Sequence, residues 1–132
     1  MSVSALSTAI GPIIIVDDDP FIVEGLKLVL DAWGYSVVPA LSMDALEAAL
    51  AGLDATPSLL ITDHFLPGGR TGAEVVARVR DHSGVHIPAI LLTGDSAPER
   101  LEEAASAGVR LMLKPVLPAP LRAAVEELVL KA

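Results

Sequence analysis

The sequence predicts an α/β domain in which helices cover both faces of a five-stranded parallel sheet. Three observations carry that reading. Short apolar runs recur along the chain, helical amphipathic patterns lie between them, and the alternation extends over nearly all of the 132 residues. An apolar run without polar alternation suits a strand buried on both faces, which is how strands sit in a parallel sheet.

Met1–Pro12 is rich in small residues and carries no Lys or Arg. It lacks the basic start of a signal peptide, so residues 1–12 read as a flexible tail or linker stump. The folded unit is expected at 13–132. Its first strand is Ile13–Val16, stopped by Asp17-Asp18-Asp19-Pro20. A helix follows with Ile22, Leu26, Val29, Leu30 and Trp33 on one face and Gly34 placed to end it. Tyr35–Val38, interrupted by Ser36, suits an edge strand. Ser42 can cap a second helix that turns Ala45, Leu46, Ala49 and Leu50 inward. Leu59–Ile61 is the next strand, ending at Thr62-Asp63. A third helix is predicted from Gly72 to Asp81, using Val75, Val76 and Val79. Ala89–Leu92 runs into Thr93-Gly94-Asp95. A fourth helix is expected from Ser96, with Pro98 in its first turn, to Gly108. Leu111–Leu113 is the last strand, ending at Lys114-Pro115. A fifth helix has Pro120 near its start and buries Leu121, Val125, Leu128 and Val129.

This alternation gives a (βα)5 three-layer sandwich. Right-handed crossovers leave few topologies, and the most apolar strand, Ile13–Val16, belongs at the centre. The flavodoxin-like strand order 2-1-3-4-5 fits, with a crevice at the carboxyl ends of strands one and three.

Composition removes several classes of function. The chain has no cysteine, which excludes thiol catalysis, disulfide scaffolds and Cys-ligated metal, and is compatible with a reducing cytoplasm. A formal net charge of -8 makes a poor partner for a phosphate backbone, and 3% aromatic residues cannot build a base-stacking platform. Neither nucleic-acid binding nor membrane contact is expected, since no apolar stretch approaches the length of a span.

Polar residues stand where the strands end: Asp17 and Asp18 after the first, Asp63 after the third, Thr93 after the fourth and Lys114 after the fifth. In a parallel sheet these ends share one edge, so residues far apart in sequence converge. Several carboxylates in one crevice repel and stay ionised together only beside a cation or strong donors. Oxygen ligands favour a hard divalent ion, Mg²⁺ or Mn²⁺. His64, next to Asp63, is expected to point to the opposite side and to take no part. A carboxylate nucleophile, a divalent ion, a lysine and a hydroxyl together suit phosphoryl transfer to an aspartate. Asp19, before Pro20, reads as a helix cap or turn former.

The ordered set VDDD, ITD followed by LPGG and TG, LLTGD and LKP resembles the receiver domain of bacterial response regulators, from about Ile13 to Leu130. The resemblance implies that Asp63 accepts a phosphoryl group from a histidine kinase or a histidine phosphotransfer protein. It implies that Asp17, Asp18, Asp63 and the backbone carbonyl of Phe65 hold the metal. It further implies that Thr93 and Lys114 contact the phosphoryl oxygens and that the Lys114–Pro115 bond is cis.

Three features depart from the family pattern. Phe65–Thr71 makes the loop before Gly72 one residue longer than usual, as in receivers attached to hybrid sensor histidine kinases. Leu111 stands where the family has a switch aromatic, so there is no ring to rotate. Phe65 and Asp95 occupy two positions that commonly tune dephosphorylation. Nothing like a DNA-binding or catalytic domain follows the last helix, so a stand-alone receiver, a monomer or weak dimer, and a receiver within the kinase polypeptide both fit. Two rival classes are an interaction module that keeps the fold without phosphorylation and a small aspartate-nucleophile phosphatase. The second needs an acid two residues after its nucleophile, and Asp63 has Phe65 there. A flavin carrier would need a phosphate loop where VDDD stands.

Overall fold

The computed structural model describes residues 10–94 and 108–130. Five parallel strands form one sheet: β1 (Ile13–Val16), β2 (Val37–Ala40), β3 (Leu59–Asp63), β4 (Ala89–Thr93) and β5 (Val109–Leu113). Their spatial order is β2-β1-β3-β4-β5, the flavodoxin-like order read from the sequence. Ile13 pairs with Val37 on one side and Leu59 on the other, which makes β1 central. The described helices are α1 (Pro20–Ala32), α2 (Met43–Ala51), α3 (Gly72–Ser83) and α4 (Pro118–Leu128). The helix expected from Ser96 lies outside the described residues.

Side-chain alternation along the strands divides the core into two layers. Ile13, Ile15, Leu59, Ile61, Ile90 and Leu92 pack with Leu26 and Leu30 of α1 and Leu121 and Val125 of α4. Ile14, Val16 and Leu60 face the other way, onto Leu46 and Leu50 of α2 and Val75 and Val79 of α3. Burying one such Ile or Leu contributes about 2 kcal/mol. β1 therefore anchors both layers, and the strand ends beyond Val16, Ile61 and Leu92 rise from this buried core.

Several boundaries differ from the sequence reading. The edge strand is Val37–Ala40 rather than Tyr35–Val38. Gly34, at φ 94°, and the two residues after it are used in leaving α1, and pairing starts where the Ser36 carbonyl accepts from the Ile13 N–H. The Ser36 and Ala40 carbonyls both face β1, so by period-two alternation Pro39 falls where its missing N–H would point outward. α3 continues past Asp81 to Ser83 and stops at Gly84, whose φ of 68° is the left-handed conformation a helix C-terminus favours. β5 begins two residues early, at Val109, which pairs with Ala89, the first residue of β4. α4 starts at Pro118, so Pro118 and Pro120 both sit in the first turn, where the N–H has no helical acceptor. In α1 the buried face includes Val23, which the sequence reading missed, while Val29 is only half-buried.

Residues 1–9 of the expected tail lie outside the described residues. Ile10 packs on the core, and the Gly11 and Pro12 carbonyls accept hydrogen bonds from the Ser58 hydroxyl and N–H. Among the described residues no helix is long and apolar enough to cross a membrane.

Candidate functional site

The site is built at the carboxyl edge of β1, β3, β4 and β5. Asp17 directly follows β1 and is 1% exposed. Its Oδ1 accepts from the Asp19 N–H at 2.9 Å, and its Oδ2 accepts from Lys114 Nζ at 3.3 Å. Asp19 caps α1 as expected, accepting from the Phe21 N–H. Asp18, between the two, is exposed. Asp63 is the last residue of β3, and its Oδ1 receives the His64 N–H at 2.8 Å and Lys114 Nζ at 3.0 Å. Thr93 ends β4 and is 3% exposed; its carbonyl accepts from the Lys114 N–H at 2.8 Å. The Lys114–Pro115 peptide is cis.

The topology therefore brings together Asp17, Asp18, Asp63, Thr93 and Lys114, the side chains read from the strand ends. Asp17, Asp18 and Asp63 each offer a carboxylate oxygen, and these oxygens lie within 4.8 Å of one another. Burial pushes the Asp17 carboxyl above its ordinary value and the Asp63 charge adds to this, while the Asp19 N–H and Lys114 oppose it. Burial also works against the Lys114 charge, but its contacts with Asp63 and Asp17 prevail and hold the ammonium above the usual lysine range. One lysine is thus shared by two acids with a third nearby. That is an oxygen-rich, electron-rich pocket suited to a hard divalent cation.

Phe65 leaves the strand edge. It opens a short ribbon, Phe65–Leu66 paired with Arg70–Thr71, whose turn uses Gly68 and Gly69 at φ 77° and 75°. The Phe65 side chain is 60% exposed, with its ring 4.2 Å between centroids from the His64 ring. His64 is not the bystander the alternation rule suggests: its Nδ1 lies 3.4 Å from Thr93 Oγ1. Strand alternation lapses at His64 because β3 has ended and the chain is already bending into the ribbon. No pattern in the sequence marks that contact. Asp95 lies outside the described residues.

The profile of the response regulator receiver domain matches residues 13–126. The chain belongs to that family. A rice protein (Oryza sativa subsp. japonica), the two-component response regulator ORR6, is 34% identical over 76 residues, 56% of this chain. The match covers 44% of the rice protein, so the chain spans under half the length of that curated relative. Among solved structures, the chemotaxis response regulator CheY4 of Vibrio cholerae is 27% identical with a TM-score of 0.75, over 91% of this receiver domain and 99% of that chain. A signal receiver domain of a signal transduction histidine kinase from Syntrophus aciditrophicus is 28% identical with a TM-score of 0.72, over 89% of each chain. A CheY-like receiver domain protein from Methanospirillum hungatei JF-1 is 27% identical with a TM-score of 0.75, over 89% of this chain and 92% of that one.

Proposed function

We propose that this receiver domain takes a phosphoryl group onto Asp63 from the phosphohistidine of a histidine kinase or histidine phosphotransfer protein, in a Mg²⁺-dependent reaction. The observation that carries the reading is Lys114 Nζ lying within 3.3 Å of both Asp17 and Asp63, residues contributed by three different strand ends. Asp17, Asp18 and Asp63, with the Phe65 carbonyl, would hold the cation. Bound Mg²⁺ or Mn²⁺ would offset the carboxylate repulsion and neutralise charge on the phosphoryl oxygens.

The remaining chemistry belongs to the chain. Two donors on Asp63 Oδ1 fix the carboxylate plane and direct Oδ2 to attack. As the Oδ2–P bond forms, the P–N bond of the donor breaks and the imidazole nitrogen keeps the electron pair, which leaves an acyl phosphate on Asp63. Lys114 stays beside the reacting oxygens as a fixed positive charge. The Thr93 hydroxyl donates to a phosphoryl oxygen once the group is in place. Water later cleaves the acyl phosphate, or a second histidine removes the group. The Syntrophus relative, a receiver domain of a kinase, and the long Phe65–Thr71 loop favour a donor in the same polypeptide.

The test is incubation with acetyl phosphate and Mg²⁺ followed by intact-mass measurement. One phosphoryl group should add to the parent protein and none to Asp63→Asn. Equal labelling of both removes the assignment. No labelling of the parent favours the unphosphorylated interaction module.

A further inference from the structure

His64 stands beside the acceptor with no role in the reading above. Its position is well defined. Its N–H is shared between Asp63 Oδ1 at 2.8 Å and the Leu92 carbonyl at 2.9 Å, and its ring rests on Phe65. That leaves Nδ1 directed at Thr93 Oγ1, 3.4 Å away. Thr93 is held through its backbone by pairing with Leu113 and by the Lys114 N–H. Its hydroxyl can be redirected only by the side-chain torsion, which for threonine has few wells.

We propose that His64 is a positioning residue whose Nδ1 accepts the Thr93 hydroxyl proton and holds that hydroxyl in a resting orientation. Phosphorylation must draw it away. The inference rests on Asp63 being the phosphoacceptor. A neutral imidazole has one donor and one acceptor nitrogen; with the proton on Nε2, the commoner form, Nδ1 accepts. The hydroxyl carries one proton, and one orientation cannot direct it at both His64 and a phosphoryl oxygen on Asp63. The two bonds therefore compete, and His64 raises the threshold for the phosphorylated conformation. The 3.4 Å separation is at the long end for a hydrogen bond, so the bias is small, about two- to five-fold in an equilibrium.

The experiment uses the 132-residue chain and beryllofluoride with Mg²⁺ as the phosphoryl mimic, at pH 8. His64→Leu should tighten mimic binding about two- to five-fold. His64→Asn, whose amide oxygen reaches the place of Nδ1, should return it toward the parent value. In a Thr93→Val background His64→Leu should change nothing, since the proton it releases is gone. Unchanged or weaker binding by His64→Leu, or an effect that persists with Thr93→Val, overturns the proposal. A second readout needs no mimic: imidazole ¹⁵N shifts should show an unprotonated Nδ1 that moves on Thr93→Val. A proton found on Nδ1 overturns the competition. A parent chain that binds no beryllofluoride removes the phosphoacceptor reading and the competition with it; the ¹⁵N result then decides the His64–Thr93 bond by itself.

Discussion

Gly72 is packed against the backbone of Asp63. A methyl group at Gly72 would collide with the Asp63 carbonyl and the Leu91 side chain, and the Gly72 N–H donates to the His64 carbonyl at 2.8 Å. The first residue of α3 thus braces the peptide that carries the proposed acceptor. Gly72→Ala must push these elements apart and should cost about 1–3 kcal/mol of stability. Urea unfolding measures that loss, and acetyl phosphate labelling of the folded variant should slow because Asp63 is displaced. An unchanged urea midpoint would show that the backbone yields freely.

Asp17 is a liability without a cation. Burial foremost, then the Asp63 charge, raises its native-state pKa. The native state therefore holds the proton more tightly than the unfolded chain does. Stability from this group is present below the ordinary carboxylate range and is lost as pH rises through the raised native value. Metal-free Asp17→Asn should accordingly melt higher than the parent at pH 7, with the gap closing toward pH 4. Adding Mg²⁺ should raise the melting temperature of the parent and not of the variant. A variant less stable at pH 7 would mean that the Lys114 contact outweighs burial.

Lys114 offsets both acids. Lys114→Met leaves Asp17 buried with a lost partner and should destabilise the protein by about 1–3 kcal/mol at pH 7. The loss should shrink at lower pH, where the raised pKa of Asp17 allows it to be protonated. Chemical denaturation at two pH values checks this, and labelling of Asp63 by acetyl phosphate should fall steeply. Equal losses at both pH values would locate the role of Lys114 in packing.

Leu111 is half-buried in β5, paired with Leu91. A leucine changing rotamer alters the β5 surface far less than a swinging aromatic ring. Beryllofluoride should therefore shift amide resonances near Asp63, Thr93 and Lys114 strongly and those around Leu111 weakly, with no change in sedimentation. Dimerisation driven by the mimic would show that an aromatic is unnecessary at this position.

The layered fold was legible because apolar runs such as Ile13–Val16 and Ala89–Leu92 have no polar face, and a strand of that kind is stable only with helices on both sides. The ends of the runs announced Asp17, Asp63, Thr93 and Lys114 because polar groups are costly inside a sheet buried on both faces and gather at its edge. The edge strand was misplaced because Tyr35–Val38 and Val37–Ala40 are both partly apolar, and a half-exposed edge places weak demands on side chains. Backbone pairing to Ile13 made the choice.

Local chemistry along the chain thus determined the elements, their order and the residue types at each strand end. Which carboxylate Lys114 touches, how deeply Asp17 is buried and where the His64 ring turns were decided only in three dimensions. Those quantities depend on distances between segments as remote as Asp17 and Lys114, 97 positions apart. Electrostatic and hydrogen-bond energies vary steeply with such distances, and the linear pattern of residues carries no record of them.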